Sequence, residues 1–172
     1  MVMETQRLIL REMTQDDFDA LYKVLADADN MCHYPKPYDA AMVQKWIDWT
    51  LDCYAVYGFG LWAVCLKETG EMIGDCGLTM QWINRRIRPE IGYHLRADMH
   101  QKGYAKEAAM AVRDWAFQNT PFRTIYSYMT HDNTPSVRTA MAYGCKQVDE
   151  YTDEDGERNK VFAITKDQWQ SR

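Results

Sequence analysis

Residues 101–105 read Gln-Lys-Gly-Tyr-Ala and contain two small residues at the expected start of a helix. Gly103 and Ala105 leave the main chain open to close approach by another group. The first N–H groups of a helix lack partners within the helix, and the helix dipole attracts negative charge there. Such a turn can hold a phosphate or pyrophosphate. The alternative interpretation is an ordinary strand-to-helix connection with a small-residue contact.

The segments that flank this turn predict the elements that position it. Glu90–Leu95 alternates apolar with polar residues, which predicts a strand, and a polar loop follows it. Gly103–Phe117 is rich in Ala, Glu, Lys and Met with apolar residues at helical spacing, which predicts a helix. The turn has one glycine and no Gly-Lys-Ser/Thr, so it matches neither a P-loop nor a dinucleotide-binding fingerprint.

Several segments resemble a known enzyme family. His100–Ala105 is similar to the pyrophosphate-binding signature, Arg/Gln-x-x-Gly-x-Gly/Ala, of the GNAT superfamily of acyl-CoA-dependent N-acyltransferases. Further segments resemble its ribosomal-protein alanine N-acetyltransferase branch: Glu4–Glu12, Glu90–Leu95, Glu107-Ala108, and His131–Ser136 followed by Gly144-Cys145. The chain departs from the family pattern at His100, where Arg or Gln is usual, and at Cys145, where Phe is usual. The resemblance extends from about residue 4 to the C-terminus.

The resemblance implies an activity and a set of binding residues. The activity is transfer of an acetyl group from acetyl-CoA to a primary amine, on a protein N-terminus or a small molecule, by direct attack and without a metal. The residues implied for the cofactor are Tyr93, His94 and Leu95 for the pantetheine, Gln101, Lys102, Gly103, Tyr104 and Ala105 for the pyrophosphate, and Asn133 and Ser136 near the thioester.

Glu90 is the first candidate for the general base. A base is needed because a free amine is mostly protonated near neutral pH. Glu90 opens the predicted strand at a place where some members of the resembled family carry a catalytic glutamate, and a carboxylate can act there directly or through one water. Asp75, on the preceding predicted strand, is the alternative base. A purely structural salt bridge of Glu90 with Arg86 or Arg88 is the other interpretation.

Ser136 is the candidate proton donor to the leaving thiolate. It matches the serine that the resembled branch places near the thioester sulfur, at the predicted start of a helix. Many family members instead carry a tyrosine seven residues after the motif asparagine, where this chain has Ala140, and Tyr143 is a substitute one helical turn away. The alternative for Ser136 is a helix cap. Asn133 could stabilise its own turn or bind the pantetheine.

Two segments are expected to border the acceptor in a fold of this class. Cys32–Tyr38 is aromatic, and Thr152–Asn159 is acidic. The acids of the second segment are Asp153, Glu154, Asp155 and Glu157. We hypothesise that this acidic loop attracts a cationic amine, such as a basic peptide N-terminus, an aminoglycoside or a polyamine. A solvated turn without such a role is the alternative.

The composition predicts one globular domain over residues 1–172, with 47% apolar and 26% charged residues. The net charge of −5 argues against a general nucleic-acid binder. No apolar run is long enough to span a membrane, and no signal-peptide core is visible. Five dispersed cysteines without a C-x-x-C pair predict free thiols in a reducing cytoplasm. The four histidines lack metal-ligand spacing.

The order of the predicted elements is β-α-α-β-β-β-α-β-α-β-β, which indicates an α/β protein with a mixed sheet flanked by helices. The remaining predicted strands are Arg7–Met13, Gly60–Lys67, Met72–Trp82, Thr124–Met129, Gln147–Tyr151 and Lys160–Thr165. The remaining predicted helices cover residues 15–26, 39–57 and 134–143. Thr134, followed by Pro135, is the predicted cap of the last helix. Edge strands near the C-terminus suggest a homodimer.

Two other functions fit some of these features. A catalytically degenerate module that binds or senses acyl-CoA without turnover would explain the absence of a tyrosine at Ala140. A nucleotide-phosphate enzyme could use the same anion-binding turn. The second alternative is disfavoured because the chain has neither a P-loop lysine nor an acidic metal cluster.

Overall fold

The computed structural model describes residues 2–171, which form one eight-stranded sheet with helices on both faces. The strands are β1 (Val2–Glu4), β2 (Leu8–Glu12), β3 (Leu61–Leu66), β4 (Met72–Ile83), β5 (Arg86–Leu95), β6 (Thr124–Thr130), β7 (Lys146–Thr152) and β8 (Arg158–Thr165). The helices are α1 (Phe18–Leu25), α2 (Ala40–Tyr57), α3 (Tyr104–Asn119), α4 (Thr134–Ala142) and α5 (Lys166–Gln170).

The strands lie in the order β1-β2-β3-β4-β5-β6-β8-β7. Neighbouring strands are antiparallel except β5 and β6, which are parallel and joined by the crossover that contains α3. Glu90 and Tyr126 are the single paired position that the described residues form between β5 and β6. The predicted mixed sheet is confirmed, and a cleft opens between its two halves where β5 and β6 separate.

The sheet separates two apolar cores. Leu8 and Leu10 of β2 belong to the core under α3 and α4, whereas Ile9 packs against the core under α1 and α2. This alternation follows from the period of two along a strand. The first eight residues of β4, over 72–79, are all buried, since helices cover both faces of the central strands.

Helix ends follow the expected chemistry with one correction. The Asp39 side chain accepts a hydrogen bond from the Met42 N–H at 2.9 Å and caps α2, which ends at Gly58 with a φ of 74°. At α4 the cap is Asn133, whose side chain accepts from the Ser136 N–H at 3.2 Å. The prediction that Thr134 caps this helix was therefore wrong, because Thr134 is its first residue. The sequence patterns also did not predict β1 or the short α5.

Candidate functional site

A cavity of about 720 Å³ lies where β5 and β6 separate. Its walls come from the sheet, from the segment after α1, from the start of α4 and from the β7–β8 turn. Carboxylates in its lining are those of Glu90, Asp132, Asp153, Asp155 and Glu157. Among the described residues, those that line the cavity include neither lysine nor arginine. The cavity is therefore a negatively charged site of the size of a small-molecule pocket.

Glu90 lies in the wall of this cavity with 7% of its surface exposed. Its carboxylate accepts a hydrogen bond from Thr79 Oγ1 at 3.1 Å. Burial, and then the charge of Asp75, raise the pKa of Glu90 to about 8, against the opposing hydrogen bond from Thr79. The alternative salt bridge is absent from the described residues, since Arg88 lies over the Tyr126 ring instead, 4.6 Å from its centroid.

Gly92 explains how the Glu90 carboxylate can lie along the cavity wall. Gly92 follows Glu90 on the same face of β5 because side chains alternate along a strand. A Cβ at position 92 would lie 3.0 Å from Glu90 Oε2. The missing side chain leaves room for the carboxylate in the direction of His94, the next residue on this face.

Asp75 is fully buried and does not line the cavity, so it cannot contact a substrate directly. Its carboxylate accepts hydrogen bonds from Trp46 Nε1 at 3.0 Å, from the His94 N–H at 3.0 Å and from His94 Nδ1 at 2.9 Å. The alternative in which Asp75 itself is the base is therefore wrong as a direct role. Asp75 lies behind His94.

Along β5, the main-chain N–H and C=O groups of every second residue point into the cleft. The N–H groups of His94 and Arg96 both point towards β4, where they donate to Asp75 and to the Ile73 carbonyl. Because the direction alternates along a strand, the main-chain groups of Tyr93 and Leu95 point the other way, into the cleft. His94 therefore drops out as a main-chain contact for the pantetheine, and Tyr93 and Leu95 remain.

The 101–105 turn has the left-handed conformation at Gln101 and Gly103, with φ of 60° and 82°. The helix α3 begins at Tyr104, so the N–H groups of its first residues have no acceptor within the helix. His100 Nε2 contacts the Leu95 carbonyl oxygen at 2.8 Å and ties the loop back to β5. The residues expected at the pyrophosphate thus form a left-handed turn at a helix start.

Arg7 contacts this turn, and the sequence analysis did not identify it as a site residue. Its guanidinium donates to the Lys102 carbonyl at 2.9 Å, forms an ion pair with Glu107 at 2.7 Å and lies 4.4 Å from the centre of the Tyr104 ring. Burial works against the Glu107 carboxylate, but hydrogen bonds from Thr5 and Arg7 outweigh it and lower the pKa of Glu107. Only its place in the Glu4–Glu12 resemblance could have indicated Arg7.

Ser136 lines the cavity from the first turn of α4, and Asn133 holds that turn as its cap. The Tyr93 hydroxyl donates to the Ser136 carbonyl at 3.5 Å, across the cleft between β5 and α4. Tyr143 is completely buried with its hydroxyl against Ser127, outside the lining of the cavity. Tyr143 is therefore not placed to meet a substrate, and Ser136 remains the candidate donor.

The two segments expected at the acceptor meet in this cavity. Tyr34 and Tyr38 enter from one side, and Asp153, Asp155 and Glu157 enter from the other. The Tyr38 ring packs edge-on against Trp46, with 5.8 Å between ring centres. The Asp153 carboxylate accepts hydrogen bonds from the Asp155 and Glu157 N–H groups, which shapes the acidic turn. Aromatic faces and carboxylates together suit a cation.

A family comparison identifies the family to which a chain with this geometry belongs. The family described as Acetyltransferase (GNAT) domain matches residues 7–146, which is most of the chain and includes both the cleft and the turn. The chain belongs to the GNAT acetyltransferase family. It is therefore an acyltransferase with the GNAT fold.

Three related proteins show how far this GNAT chain is similar to others. It is 33% identical over 141 residues to the uncharacterized protein YkkB of Bacillus subtilis (strain 168), covering 81% of this chain and 82% of YkkB. An acetyltransferase from Agrobacterium tumefaciens superposes with a TM-score of 0.84 at 28% identity, over 96% of this chain and 95% of the other. RimL, a ribosomal L7/L12 alpha-N-protein acetyltransferase solved with coenzyme A, superposes with a TM-score of 0.80 at 16% identity, over 98% and 99%.

The part of this GNAT chain that the structure describes contains neither a group of metal ligands nor a membrane-spanning helix. No group of three or more His, Cys, Asp or Glu side chains within residues 2–171 could hold a metal ion. None of the described helices is both long and apolar enough to cross a membrane.

Proposed function

We propose that this enzyme transfers an acetyl group from acetyl-CoA to the primary amine of a cationic acceptor. The observation that carries the proposal is Glu90, a buried carboxyl with a raised pKa in the wall of an acidic cavity at the β5–β6 cleft. The coenzyme A bound to RimL, a chain of the same fold, supports the donor. A homodimer, a cytoplasmic location and one domain over residues 1–172 stay predictions.

The residues around the cleft fit coenzyme A as the donor. The main-chain groups of Tyr93 face the open edge of β5 and can pair with the amide groups of a pantetheine arm. The 101–105 turn offers N–H groups at the start of α3 to the pyrophosphate. A Cβ at position 103 would have the Arg7 guanidinium as its nearest neighbour, at 3.4 Å, so a cation stands next to an open turn. Bound there, acetyl-CoA supplies the activated acyl group.

Glu90 and Ser136 have complementary roles in this proposal. Near neutral pH about a tenth of Glu90 is ionised when its pKa is about 8, and the ionised carboxylate takes a proton from the amine nitrogen. A base of this strength is well matched to a reaction near neutral pH. The Ser136 hydroxyl lies on the other wall and donates to the sulfur as it leaves. Asn133 fixes the turn from which Ser136 projects.

The acceptor class follows from charge. Four carboxylates besides Glu90 line the cavity, and the described lining residues include no lysine or arginine, so a positively charged amine is attracted and an anionic one is repelled. The rings of Tyr34, Tyr38 and Trp46 give a cation additional favourable contact. A polyamine, an aminoglycoside and a peptide with a basic N-terminal region all share this chemistry.

Release of free coenzyme A thiol from acetyl-CoA tests the proposal with a panel of amines. Spermidine and a peptide with a lysine-rich N-terminus are expected to be acetylated, whereas a peptide with a glutamate-rich N-terminus is not. Glu90→Gln should lower kcat by about 100-fold, in line with loss of a general base. Binding of acetyl-CoA without any thiol release or acetylated amine would establish the acyl-CoA-binding module instead.

A double variant that removes two negative charges from the cavity tests the acceptor class separately. Asp155→Asn with Glu157→Gln should raise KM for spermidine about tenfold, because two cavity carboxylates are lost. The matched control is Asp29→Asn with Glu68→Gln, which removes the same two charges from exposed positions outside the cavity. Equal KM values in the two double variants would refute cationic selection by the acidic turn.

A further inference from the structure

Three side chains form a continuous hydrogen-bonded chain from the cavity into the interior. The Tyr34 hydroxyl lies 2.5 Å from His94 Nε2, and His94 Nδ1 lies 2.9 Å from Asp75 Oδ1. Tyr34 lines the cavity and is 40% exposed as a whole residue, whereas its hydroxyl meets a histidine side chain that is 10% exposed. Asp75 is fully buried. The chain therefore connects a group that a substrate can touch with an interior carboxylate.

The hydrogen-bond partners of Asp75 indicate where the protons lie. Trp46 Nε1 donates to one Asp75 oxygen and the His94 main-chain N–H donates to the other, so both oxygens already act as acceptors. The His94 Nδ1 that faces the second oxygen then carries the proton. In the neutral ring, Nε2 is then an acceptor, and the Tyr34 hydroxyl donates to it. The Tyr34 oxygen then has its lone pairs available to a donor in the cavity.

The proposed reaction needs two proton acceptors for a cationic amine, and this inference rests on that proposed function. An alkylammonium has three N–H bonds and the amide product has one, so the nitrogen loses two protons. The sulfur gains one proton as the carbon–sulfur bond breaks and the carbon–nitrogen bond forms, and one proton goes to solvent. Glu90 accounts for one acceptor. A second group beside the nitrogen can accept the other proton.

We propose that the Tyr34 hydroxyl is a second catalytic proton-transfer group, backed by His94 and Asp75 as positioning residues. One amine proton moves to the Tyr34 oxygen while the Tyr34 proton moves to His94 Nε2. The product is an imidazolium paired with the Asp75 carboxylate, which holds both charges within a hydrogen-bonded pair. After the product leaves, the same path returns the proton to solvent. Glu90, which lies on the same face of β5 as His94, takes the other amine proton.

The surroundings of the chain hold this arrangement in place. The Tyr34 and Trp46 rings both pack against the His94 ring, with 5.4 and 5.6 Å between ring centres. Trp46 also donates to the second oxygen of Asp75, so the carboxylate cannot turn away from His94. Glu90 and Asp75 are the carboxylates whose charges act on Tyr34, and its other titratable neighbours are the hydroxyls of Tyr38 and Tyr128 and the His94 ring. The site thus favours transfer of a proton inward.

Tyr34→Phe tests the proposal, with two amines of different protonation state. Spermidine is cationic and must lose two protons at the attacking nitrogen, whereas hydroxylamine is mostly neutral at pH 7 and must lose one. Tyr34→Phe should lower kcat for spermidine by about 100-fold, the usual size of a proton-transfer contribution. It should lower kcat for hydroxylamine by less than about threefold and leave KM for acetyl-CoA unchanged. Tyr22→Phe removes a hydroxyl from a tyrosine of equal exposure, 39%, outside the cavity, and should change none of these values.

Asp75→Asn tests the positioning role. The amide can donate to Nδ1 and so move the ring proton to Nε2, which a ¹⁵N NMR spectrum of His94 reports directly. The expected result is the Nδ1–H form in the wild type, the Nε2–H form in the variant, and the same spermidine-selective loss of kcat. The double variant with Tyr34→Phe should lose no more than either single one, because the groups act as a unit.

The possible outcomes separate the inference from the proposed function. A wild-type enzyme that acetylates spermidine while Tyr34→Phe keeps full activity would overturn the inference alone. Equal losses with spermidine and hydroxylamine would also overturn it, since they would indicate a merely structural hydroxyl. A wild-type enzyme that acetylates neither amine nor any of the panel would overturn the proposed function, and the inference with it.

Discussion

At the scale of single residues, the cavity contains the carboxyl group of Glu90, whose pKa is about 8. Glu90 has one hydrogen-bond donor, Thr79, and its burial disfavours the charged form. Asp75 lies on the adjacent strand with three donors and is fully buried. Two carboxyl groups on neighbouring strands thus differ in their hydrogen-bond donors, with one for Glu90 and three for Asp75.

Glu90 should make the stability of the protein depend on pH. Its pKa rises from an ordinary 4.5 to about 8 on folding, so the folded state binds the proton more tightly than the unfolded state. Stability is therefore present in full below pH 4.5 and is lost as pH rises to about 8. Glu90→Gln removes this loss, and its advantage over the wild type should reach roughly 2–5 kcal/mol at pH 9.

Urea unfolding at pH 5 and at pH 9 checks this prediction. The two proteins should differ little at pH 5 and clearly at pH 9, with the variant the more stable. The same difference between wild type and variant at both pH values would contradict a raised pKa at Glu90.

At the scale of single residues, the sequence indicates features that depend on local main-chain conformation, but it does not reveal long-range contacts. The Gln101–Ala105 turn and the acidic loop could be found because their composition and position along the chain are informative. The Arg7–Glu107 pair and the Tyr34–His94–Asp75 chain join residues far apart in sequence, which no local pattern reveals. His94 was expected to use its main chain, whereas its side chain is the more informative part.

At the scale of elements, the 101–105 turn contacts the residues just before β2. Arg7→Ala should raise KM for acetyl-CoA about tenfold, because the cation beside Gly103 and the hydrogen bond to the Lys102 carbonyl are both lost. The kcat should change less than threefold, since Arg7 does not line the cavity that contains Glu90. Steady-state kinetics with varied acetyl-CoA measures both values.

Lys67→Ala is the matched control for Arg7. It breaks a different surface ion pair, with Glu4 at 3.1 Å, on the same end of the sheet. Its KM for acetyl-CoA should stay within twofold of the wild type. Equal increases in the two variants would indicate a general effect of surface charge and not a role of the turn.

The packing of the central strands leaves no room for a side chain at Gly77. A Cβ there would lie 2.1 Å from the Gly60 carbonyl oxygen and 2.5 Å from the Leu61 Cα, both main-chain atoms. Gly77→Ala should therefore force β3 and β4 apart and lower the free energy of unfolding by about 3 kcal/mol or more. Gly70→Ala meets no atom within 4 Å and should cost about 1–2 kcal/mol, from its left-handed φ of 73° alone.

Chemical denaturation of both alanine variants orders the two effects. A smaller loss for Gly77→Ala than for Gly70→Ala would show that β3 and β4 can separate at little cost.

The helices and strands were largely predictable from the sequence because alternation, caps and turn residues are local signals. The start of α4 was placed one residue late, since Asn and Thr can both cap a helix and only the Asn133 contact with Ser136 distinguishes them.

At the scale of the whole molecule, a donor in the cleft would contact both halves of the sheet and the turn before α3. Binding only to the folded state raises stability by mass action, by about 2.7 kcal/mol at a concentration a hundredfold above Kd. Acetyl-CoA and CoA should therefore raise Tm, and ATP should raise it less. A thermal unfolding series with the three ligands makes this comparison. Equal shifts with ATP and acetyl-CoA would indicate recognition of the nucleotide phosphates alone.

The sequence predicted the α/β architecture because the order of alternating elements leaves few ways to build a sheet. It could not predict that β5 and β6 share one paired position, since main-chain geometry leaves no mark on residue types. The depth of the acidic cavity was equally hidden. Cys32–Tyr38 and Thr152–Asn159 are more than a hundred residues apart, and only the folded sheet brings them together.

The separation of β5 from β6 also bears on how such a chain can diverge in evolution. A groove whose binding groups are main-chain N–H and C=O groups asks little of the side chains around it, so most substitutions leave it intact. RimL has the same fold as this chain at 16% identity. The walls formed by residues 32–38 and 152–159 can then change independently. New acceptors can be acquired by altering two loops while the donor site is inherited unchanged.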